Sequence, residues 1–518
     1  MIWSAYNINL FASARTQQAV FRQCRRSFSR SIIHLEGSKP EFRQYRTPTI
    51  YAPATPPGKS AIAVVRIAGP QVSKVWQATR SPRNGKHKPW PPPARKAVLR
   101  DIYDAATQQK LDQGLVIYFP AESSLTALEM LELHLHGSTA VMKAVLRSLS
   151  TYEGFRPADP GEFTKLAFEN GRMDLTEVEG LRDLIESETE AQRKLAVLQA
   201  GGEMRKAYDS MRKDIISAMS VAEAMIDFGE DEQIEQSTFA IAVGRIHQLR
   251  DKIVEHLNKA RRAEVVRNGI RLAIFGAPNA GKSSFLNWLS QREASIVTAH
   301  PGTTRDIVEV SLDFHGYPVI VSDTAGLRDT SDEVESIGVQ RAKAAVVSAD
   351  VKICMISVVE MLKLPKETAI DPMSASLVDE DTLFVLNKTD LVPVTPELRQ
   401  RVANALGLDV ESDRLLFASI EARTGLDELS GRLQRLVEER FDVGTSTDML
   451  LVTRERHRFH LEECLQCLNA FLSIDPQEDL VGAAEELRYA AQALGKVTGQ
   501  VQVDEILDEL FSSFCIGK

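Results

Sequence analysis

Five short apolar runs between residues 271 and 419 set the pattern of the chain: RLAIF at 271–275, PVIVSD at 318–323, VKICMIS at 351–357, TLFVLN at 382–387 and LLFAS at 415–419. Each suits a buried strand, and helical stretches separate them. That alternation predicts a doubly wound α/β sheet. On either side the period becomes helical. Ile215, Met219, Ala222 and Ile226 recur at i, i+4, i+7 and i+11, and Leu461, Leu465, Leu468 and Leu472 share one face. One helical domain interrupted by an inserted α/β domain is the economical organisation. Thr49–Ala68 predicts a strand, a Pro-Pro-Gly turn and a second, buried strand. Leu115–Phe119 and Met130–Leu135 predict further strands. The Pro-, Lys- and Arg-rich stretch 80–95 predicts a surface loop, and 360–381 an irregular insertion. The division is a leader at 1–45, an α+β domain at 46–165, helical halves at 166–265 and 441–518, and the α/β domain at 266–440.

Composition narrows the class. The 518 residues are 43% hydrophobic and 26% charged, as in soluble multidomain proteins. No apolar run approaches the ~18 residues of a membrane helix, so no integral membrane segment is expected. Net charge is −9, which on bulk charge alone argues against nucleic-acid binding. The charge is uneven, however. Residues 1–35 carry five arginines and no Asp, Glu or Lys, with frequent serines and helically spaced apolar residues. Such a segment is identified as a mitochondrial transit peptide, which implies the matrix; a basic, frayed tail is the other reading. Losing it would take the charge from −9 to −14. Five scattered cysteines exclude a disulfide scaffold. Cys464 and Cys467 lack two further zinc ligands nearby and fit helix packing better. His134 and His136 alternate onto one face of a strand, yet no carboxylate or third histidine completes a metal site, and a structural role is expected.

Nucleotide chemistry is the strongest signal. Gly276-Ala-Pro-Asn-Ala-Gly-Lys-Ser283 is a complete phosphate-binding loop between a predicted strand and a predicted helix. Backbone N–H groups from Asn279 to Ser284 would wrap phosphates, Lys282 would reach the outer ones, and the Ser283 hydroxyl suits Mg²⁺. Three elements follow in order. Gly302-Thr-Thr-Arg-Asp306 could bring a second hydroxyl to Mg²⁺. Asp323-Thr324-Ala325-Gly326 ends a strand. Asn387-Lys388-Thr389-Asp390 ends another. The Asp390 carboxylate can accept from N1–H and the 2-amino group of guanine, donors that adenine lacks, so the nucleotide is GTP. Ser419-Ile-Glu421 stands in register with the loop that backs the base. Leu327 occupies the position where Ras-like GTPases carry the water-orienting Gln, and it cannot bond water. Glu333 and Glu335 are either a solvated run or a source of the missing group.

The order of these motifs resembles the Era-type branch of translation-factor GTPases. TPPG at 55–58, VVRIAG at 64–69, LELHLHG at 131–137, PGEFTKLAFENGRMDL at 160–175 and the terminal FCIGK narrow it further. Together they resemble the MnmE (TrmE) family of tRNA-modification GTPases, over everything after residue 46, and with the leader its mitochondrial member. The resemblance implies modification at C5 of a wobble uridine in mitochondrial tRNA, with an FAD-dependent partner of the MnmG (GidA) family. It implies an N-terminal domain that forms the homodimer and binds 5,10-methylene- or 5-formyl-tetrahydrofolate through Arg66, Glu132, Arg172 and Lys518. It implies transient G-domain dimerisation. Mg²⁺ would be held by Ser283 and Thr304, and K⁺ by Asn279, Thr298, His300 (through its carbonyl) and Thr303. Glu335 takes the water-positioning role. Cys515, in the terminal motif, is either a nucleophile or a small buried residue.

The sequence departs from the family in places. Ser124-Leu-Thr-Ala-Leu-Glu129 puts Ala127 and Leu128 where the family has Gly and an acidic residue. Lys59-Ser-Ala61 replaces a glycine-rich turn, and His300 is unusual in the K⁺ loop. Two other functions share part of the pattern: an organellar Era-like assembly factor for ribosomal RNA, and a folate-dependent transferase with a regulatory G domain. Assembly GTPases usually append a basic RNA-binding module. Here the C-terminal part is helical and acidic, which favours the tRNA-modification reading.

Overall fold

The computed structural model describes residues 48–228, 236–292, 309–323, 340, 342–365, 368–441, 452–475, 479–500, 510, 514 and 517. Two compact units share the chain. The first takes residues through Tyr51, Gly58–Tyr118 and Glu129–Pro157; the second takes Ala52–Pro57, Phe119–Leu128 and everything from Ala158.

In the first unit, alternating residues build a seven-stranded sheet. Its strands are β1 Thr49–Pro53, β2 Ser60–Ala68, β3 Thr79–Arg80, β4 Val98–Tyr103, β5 Lys110–Phe119, β6 Met130–Gly137 and β7 Phe155–Pro157, ordered β3-β4-β5-β6-β2-β1-β7. Val65 and Ile67 of β2 and Leu131, Leu133 and Leu135 of β6 are buried on one face. Helices α1 (Val72–Gln77) and α2 (Thr139–Ser150) cover that face with Val72, Val75, Trp76, Val145 and Leu149. The intervening residues of β2 and β6 fall on the opposite face, where Arg66 pairs in register with Glu132.

The second unit begins with α3 (Glu162–Glu169), α4 (Leu175–Glu186), α5 (Glu190–Ala200), α6 (Glu203–Phe228) and α7 (Gln236–Asn268). Asp174 and Thr189 start α4 and α5 with reciprocal caps to Glu177 and Gln192. The chain then enters a six-stranded sheet: β8 Ile270–Phe275, β9 Glu309–Phe314, β10 Tyr317–Asp323, β11 Val351–Ser357, β12 Leu383–Asn387 and β13 Leu415–Phe417. The order is β13-β12-β11-β8-β10-β9, parallel except for the edge strand β9. Helices α8 (Lys282–Arg292), α9 (Val358–Met361), α10 (Pro372–Ala375) and α11 (Pro396–Leu406) lie between strands, and α12 (Leu426–Phe441) follows the last of them. Buried clusters lie on both faces, as a doubly wound sheet requires. The single turns α9 and α10 are all the regular structure that 360–381 acquires among the described residues.

After the sheet, α13 (Glu455–Ser473) and α14 (Leu480–Thr498) return to the first helices. Ile215 and Ala222 of α6, Ile246 and Ile253 of α7, Leu461 and Leu468 of α13 and Leu487 and Leu494 of α14 share one core. Helices before and after the sheet therefore form one discontinuous helical layer, as the apolar periodicity predicts. Ile226 departs from that expectation: it is 41% exposed near the end of α6.

Segment 119–128 lies on the turn after α3. Asn170 Nδ2 donates to the Thr126 carbonyl at 2.9 Å, and Arg172 Nη2 donates to those of Ala121 and Glu122. Ala127 sits here at φ +56°. An L-residue in the left-handed region costs roughly 1–2 kcal/mol, and this is the position where the resembled family carries glycine. Ala127→Gly is expected to stabilise the protein by up to about 1 kcal/mol, less than the full strain because glycine also loosens the unfolded chain. A shift of the urea midpoint at unchanged slope would show it, and a destabilised variant would refute it.

Candidate functional site

The phosphate-binding sequence spans the end of β8 and the first turn of α8. Gly276 has φ +137°, and a Cβ there would run into the Met355 carbonyl of β11. Gly281 has φ +104°, and a Cβ there would meet the Asn387 amide. Both glycines are needed for the chain to turn this tightly between neighbouring strands. Asn279 takes φ +60°, a conformation asparagine tolerates. Lys282 is buried, and its Nζ donates to the Gly276 and Ala277 carbonyls at 2.9 and 3.0 Å. Ala280 is buried, whereas Ser283 and Ser284 are exposed at the start of α8.

Asn387 ties the phosphate loop to the base loops. It is buried at the end of β12; its Nδ2 donates to the Ala280 carbonyl at 2.8 Å and its Oδ1 accepts from Ile420 N–H at 3.2 Å. Ser419 Oγ donates to Asp390 Oδ1 at 2.5 Å and accepts from Ala422 N–H at 3.0 Å. Ser419 and Thr424 exchange backbone bonds that close the 419–424 loop. Asp390 is exposed, so its second oxygen can meet a ligand. Asn279, Gly281, Lys282, Ser283, Ser284, Asn387, Lys388, Asp390 and Ser419 all line one open cavity of about 620 Å³. It lies at the C-terminal ends of β8 and β12, outside the switch point of the sheet. Pro278, Leu391, Ile420 and Glu421 line it as well, beyond the residues singled out from sequence. Leu391 is 64% exposed; its only sequence signal is an apolar residue directly after the base-selecting motif.

The chemistry of the cavity suits a nucleotide. A buried ammonium and a helix N-terminus stand at one end, and a carboxylate oriented by a hydroxyl at the other. The Asn279 amide and the Ser283 hydroxyl add hard oxygen donors of the kind Mg²⁺ and alkali cations take. Asp323 ends β10, next to β8. Thr298, His300, Thr303, Thr304, Thr324, Ala325, Gly326 and Glu335 lie outside the described residues, as does Leu327.

Of the remaining candidates, Arg66 and Glu132 meet across β2 and β6, with Nε 3.1 Å from Oε1. Arg172, in the second unit, spends its Nη2 on the Ala121 and Glu122 carbonyls. Cys515 and Lys518 lie outside the described residues. Phe514 of the terminal motif packs with Leu175, Val178 and Leu510, and a Cβ on Gly517 would strike the Pro53 carbonyl. The two strand histidines do find carboxylates. His136 Nδ1 lies 2.7 Å from Asp112 Oδ1, and His134 Nε2 lies 3.6 Å from Glu132 Oε2. Among the described residues, no three His, Cys, Asp or Glu side chains converge as a metal site. Cys464 is buried inside α13, and burial raises its thiol pKa and that of Cys467, consistent with packing rather than zinc ligation.

Comparison with known proteins agrees across the chain. The family model described as the MnmE helical domain matches residues 175–515, and the one described as the N-terminus of the GTP-binding protein TrmE matches residues 49–172. The tRNA modification GTPase MnmE of Paramagnetospirillum magneticum is 42% identical, over 91% of this chain and 99% of its own. A mitochondrial tRNA modification GTPase of Dictyostelium discoideum is 37% identical over 91% and 95%. A mitochondrial 5-taurinomethyluridine tRNA synthase subunit of Danio rerio is 40% identical over 91% and 93%.

Proposed function

The chain belongs to the MnmE/TrmE family of tRNA-modification GTPases, and from that premise we propose that it is the mitochondrial member, a potassium-stimulated GTPase acting at the wobble uridine. The observation that carries the GTP reading is the bonding of Asn387 to both the phosphate loop and the base loop, in one cavity with Asp390. The Arg-rich leader and the mitochondrial relatives support the matrix location.

Residue roles follow from chemistry and family likeness. Backbone N–H groups of residues 279–284 and Lys282 bind the phosphates, and Asp390, braced by Ser419, selects guanine. Ser283 and Thr304 hold Mg²⁺, and Asp323, the last residue of β10, reaches it through water. Asn279, Thr298, Thr303 and the His300 carbonyl hold K⁺, which supplies positive charge next to the phosphates. Thr324, Ala325 and Gly326 form the γ-phosphate-sensing turn. Glu335 orients the attacking water that Leu327 cannot. Arg66, Glu132, Arg172 and Lys518 bind tetrahydrofolate, whose one-carbon unit enters an aminomethyl-type group at uridine C5. Cys515 is a candidate nucleophile in that transfer. The FAD-dependent MnmG-family protein is the partner. The homodimer forms through the 46–165 domain, and the 266–440 G domains associate transiently.

Mass spectrometry of mitochondrial tRNA anticodons tests this function. Cells lacking the gene should carry wobble uridines without the C5 group, restored by the intact gene; unchanged nucleosides would refute it. Potassium makes a separate prediction. GTP turnover in KCl should exceed that in NaCl at equal ionic strength by about tenfold or more, because the cation offsets charge in the transition state. Asn279→Ala should reduce the KCl rate to the NaCl rate. Equal rates in both salts for the unaltered protein would remove the potassium assignment.

A further inference from the structure

The thirty residues from Gln71 to Arg100 contain eight Lys and Arg and no Asp or Glu, in a chain of net charge −9. Lys74, Arg83, Lys86, Lys88, Arg95 and Lys96 are exposed, with His87 among them. None of these side chains makes an ion pair or hydrogen bond among the described residues. Elsewhere exposed cations are commonly paired: Arg193, Lys194, Lys206 and Lys363 each face a glutamate. The nearest acid along the chain, Asp101, is engaged by Lys110 at 2.6 Å.

The backbone carrying these cations is tied to the core of the first unit. Trp76 Nε1 donates to the Lys88 and Pro89 carbonyls at 3.1 Å. Ser81 N–H donates to the Lys86 carbonyl, closing a turn, and Arg95 N–H donates to the Tyr118 carbonyl. Beneath them Arg100 is fully buried, stacked on Trp76 and bonded through Nε and Nη2 to Thr79. The loop therefore presents free cations from a backbone that needs little further ordering to bind.

We propose that this surface receives the phosphate backbone of tRNA. The proposal rests on the tRNA-modification reading and assigns the substrate a place on this chain. Unpaired Lys and Arg on a fixed loop suit a polyanion, which they bind by releasing its counterions. A lipid surface is disfavoured. Between Arg83 and Lys96 no aliphatic side chain larger than proline is exposed, and Trp90 is packed edge-on against Tyr118, so no apolar group is free to insert. The contact is placed here because, among the described residues, most other Lys and Arg side chains already have partners.

Binding of the full chain to a transcribed tRNA, titrated with KCl, tests the surface. The variant Lys86→Gln, Lys88→Gln, Arg95→Gln, Lys96→Gln should bind about tenfold or more weaker near 0.1 M salt. Its plot of log affinity against log salt should be shallower by about 3. A control removing the same charge from paired sites (Arg193→Gln, Lys194→Gln, Lys206→Gln, Lys363→Gln) should keep both affinity and slope. Thermal melting checks folding. If the four-site variant melts early, Lys86→Gln with Lys88→Gln should still give about half the change in slope. Equal losses in loop variant and control would mean bulk charge alone and would overturn the proposal. So would an unaffected loop variant, no tRNA binding by the unaltered chain, or a loop variant that keeps tRNA but loses an acidic protein partner. Anticodon analysis of null cells carrying the loop variant separates the two claims. If the unaltered gene restores the modification and the loop variant restores it equally, the function stands and the surface falls.

Discussion

Asp390→Asn is expected to lower GTP affinity by about 10²–10⁴-fold and to raise that for xanthosine triphosphate. The carboxylate can accept two hydrogen bonds from guanine, each to a charged acceptor and worth about 1.5–3 kcal/mol; losing one of them, and leaving two donors facing each other in its place at about 1–3 kcal/mol more, together correspond to that range. The Ser419 hydroxyl at 2.5 Å fixes one oxygen, so the pair of acceptors is oriented before the base arrives. An asparagine in the same place keeps one acceptor for N1–H but turns an N–H₂ donor toward the 2-position. That donor opposes the guanine amino group and matches the xanthine 2-oxo group. Competition between the two nucleotides for a fluorescent analogue measures the exchange. Ser419→Ala should weaken GTP by about tenfold without changing the base preferred, since it loosens the carboxylate but leaves its charge. An unchanged preference in Asp390→Asn would remove guanine recognition from this loop.

The parallel strands were legible because they are buried on both faces. Leu383 to Asn387 are all buried, so β12 stands out as an unbroken run. The edge strand β9 escaped notice for the opposite reason. Its sequence EVSLDF alternates polar and apolar residues and is recognisable only through its antiparallel pairing with β10. Of the carboxylates beside the strand histidines, Glu132 stands only two residues before His134 and was in plain view, whereas the partner of His136 was hidden. Asp112 is 24 residues from His136 and reaches it through the strand arrangement of the sheet. Residue types for the nucleotide cavity were readable, because the phosphate and base motifs have fixed spacing. The role of Asn387 in tying them was not, since it depends on contacts 107 and 33 residues away. Stretch 80–95 was correctly read as a basic surface loop, but the averaged net charge hid its meaning. Only the structure shows that its cations lack the glutamates that partner others.

A second large effect is expected in the helical layer: Glu179→Gln should cost about 3–5 kcal/mol, the usual penalty for breaking one side of a buried ion cluster. Glu179 lies on α4 and is buried. Its Oε2 meets His457 Nε2 at 2.7 Å, and its Oε1 meets Arg456 Nη2 at 3.0 Å. Arg456 also donates to the Lys496 and Val497 carbonyls at the end of α14. Arg454 lies 3.8 Å from Glu179 and bonds Asp183 of α4 at 2.7 Å; the other Asp183 oxygen takes Arg267 at 2.8 Å. Arg267 is where the chain leaves α7 for the nucleotide-binding sheet, and Arg454 is where it begins α13 after that sheet. Two carboxylates of one helix thus hold both crossings. Burial works against the charge of Glu179, but His457, Arg456 and Arg454 more than offset it and hold its pKa below the ordinary 4.5. The stabilisation is therefore present above about pH 4.5 and is lost as pH falls through the folded value. Glutamine keeps the shape but takes the counter-charge from Arg456 and leaves Arg454 with Asp183 alone, so the variant should already be unstable at pH 7 and lack this acid dependence. Hydrogen exchange in α13 and α14 gives the local opening energy without assuming that a multidomain chain unfolds in one step. A change below about 1 kcal/mol there would mean that apolar packing, not this cluster, fastens the crossings to the helical layer.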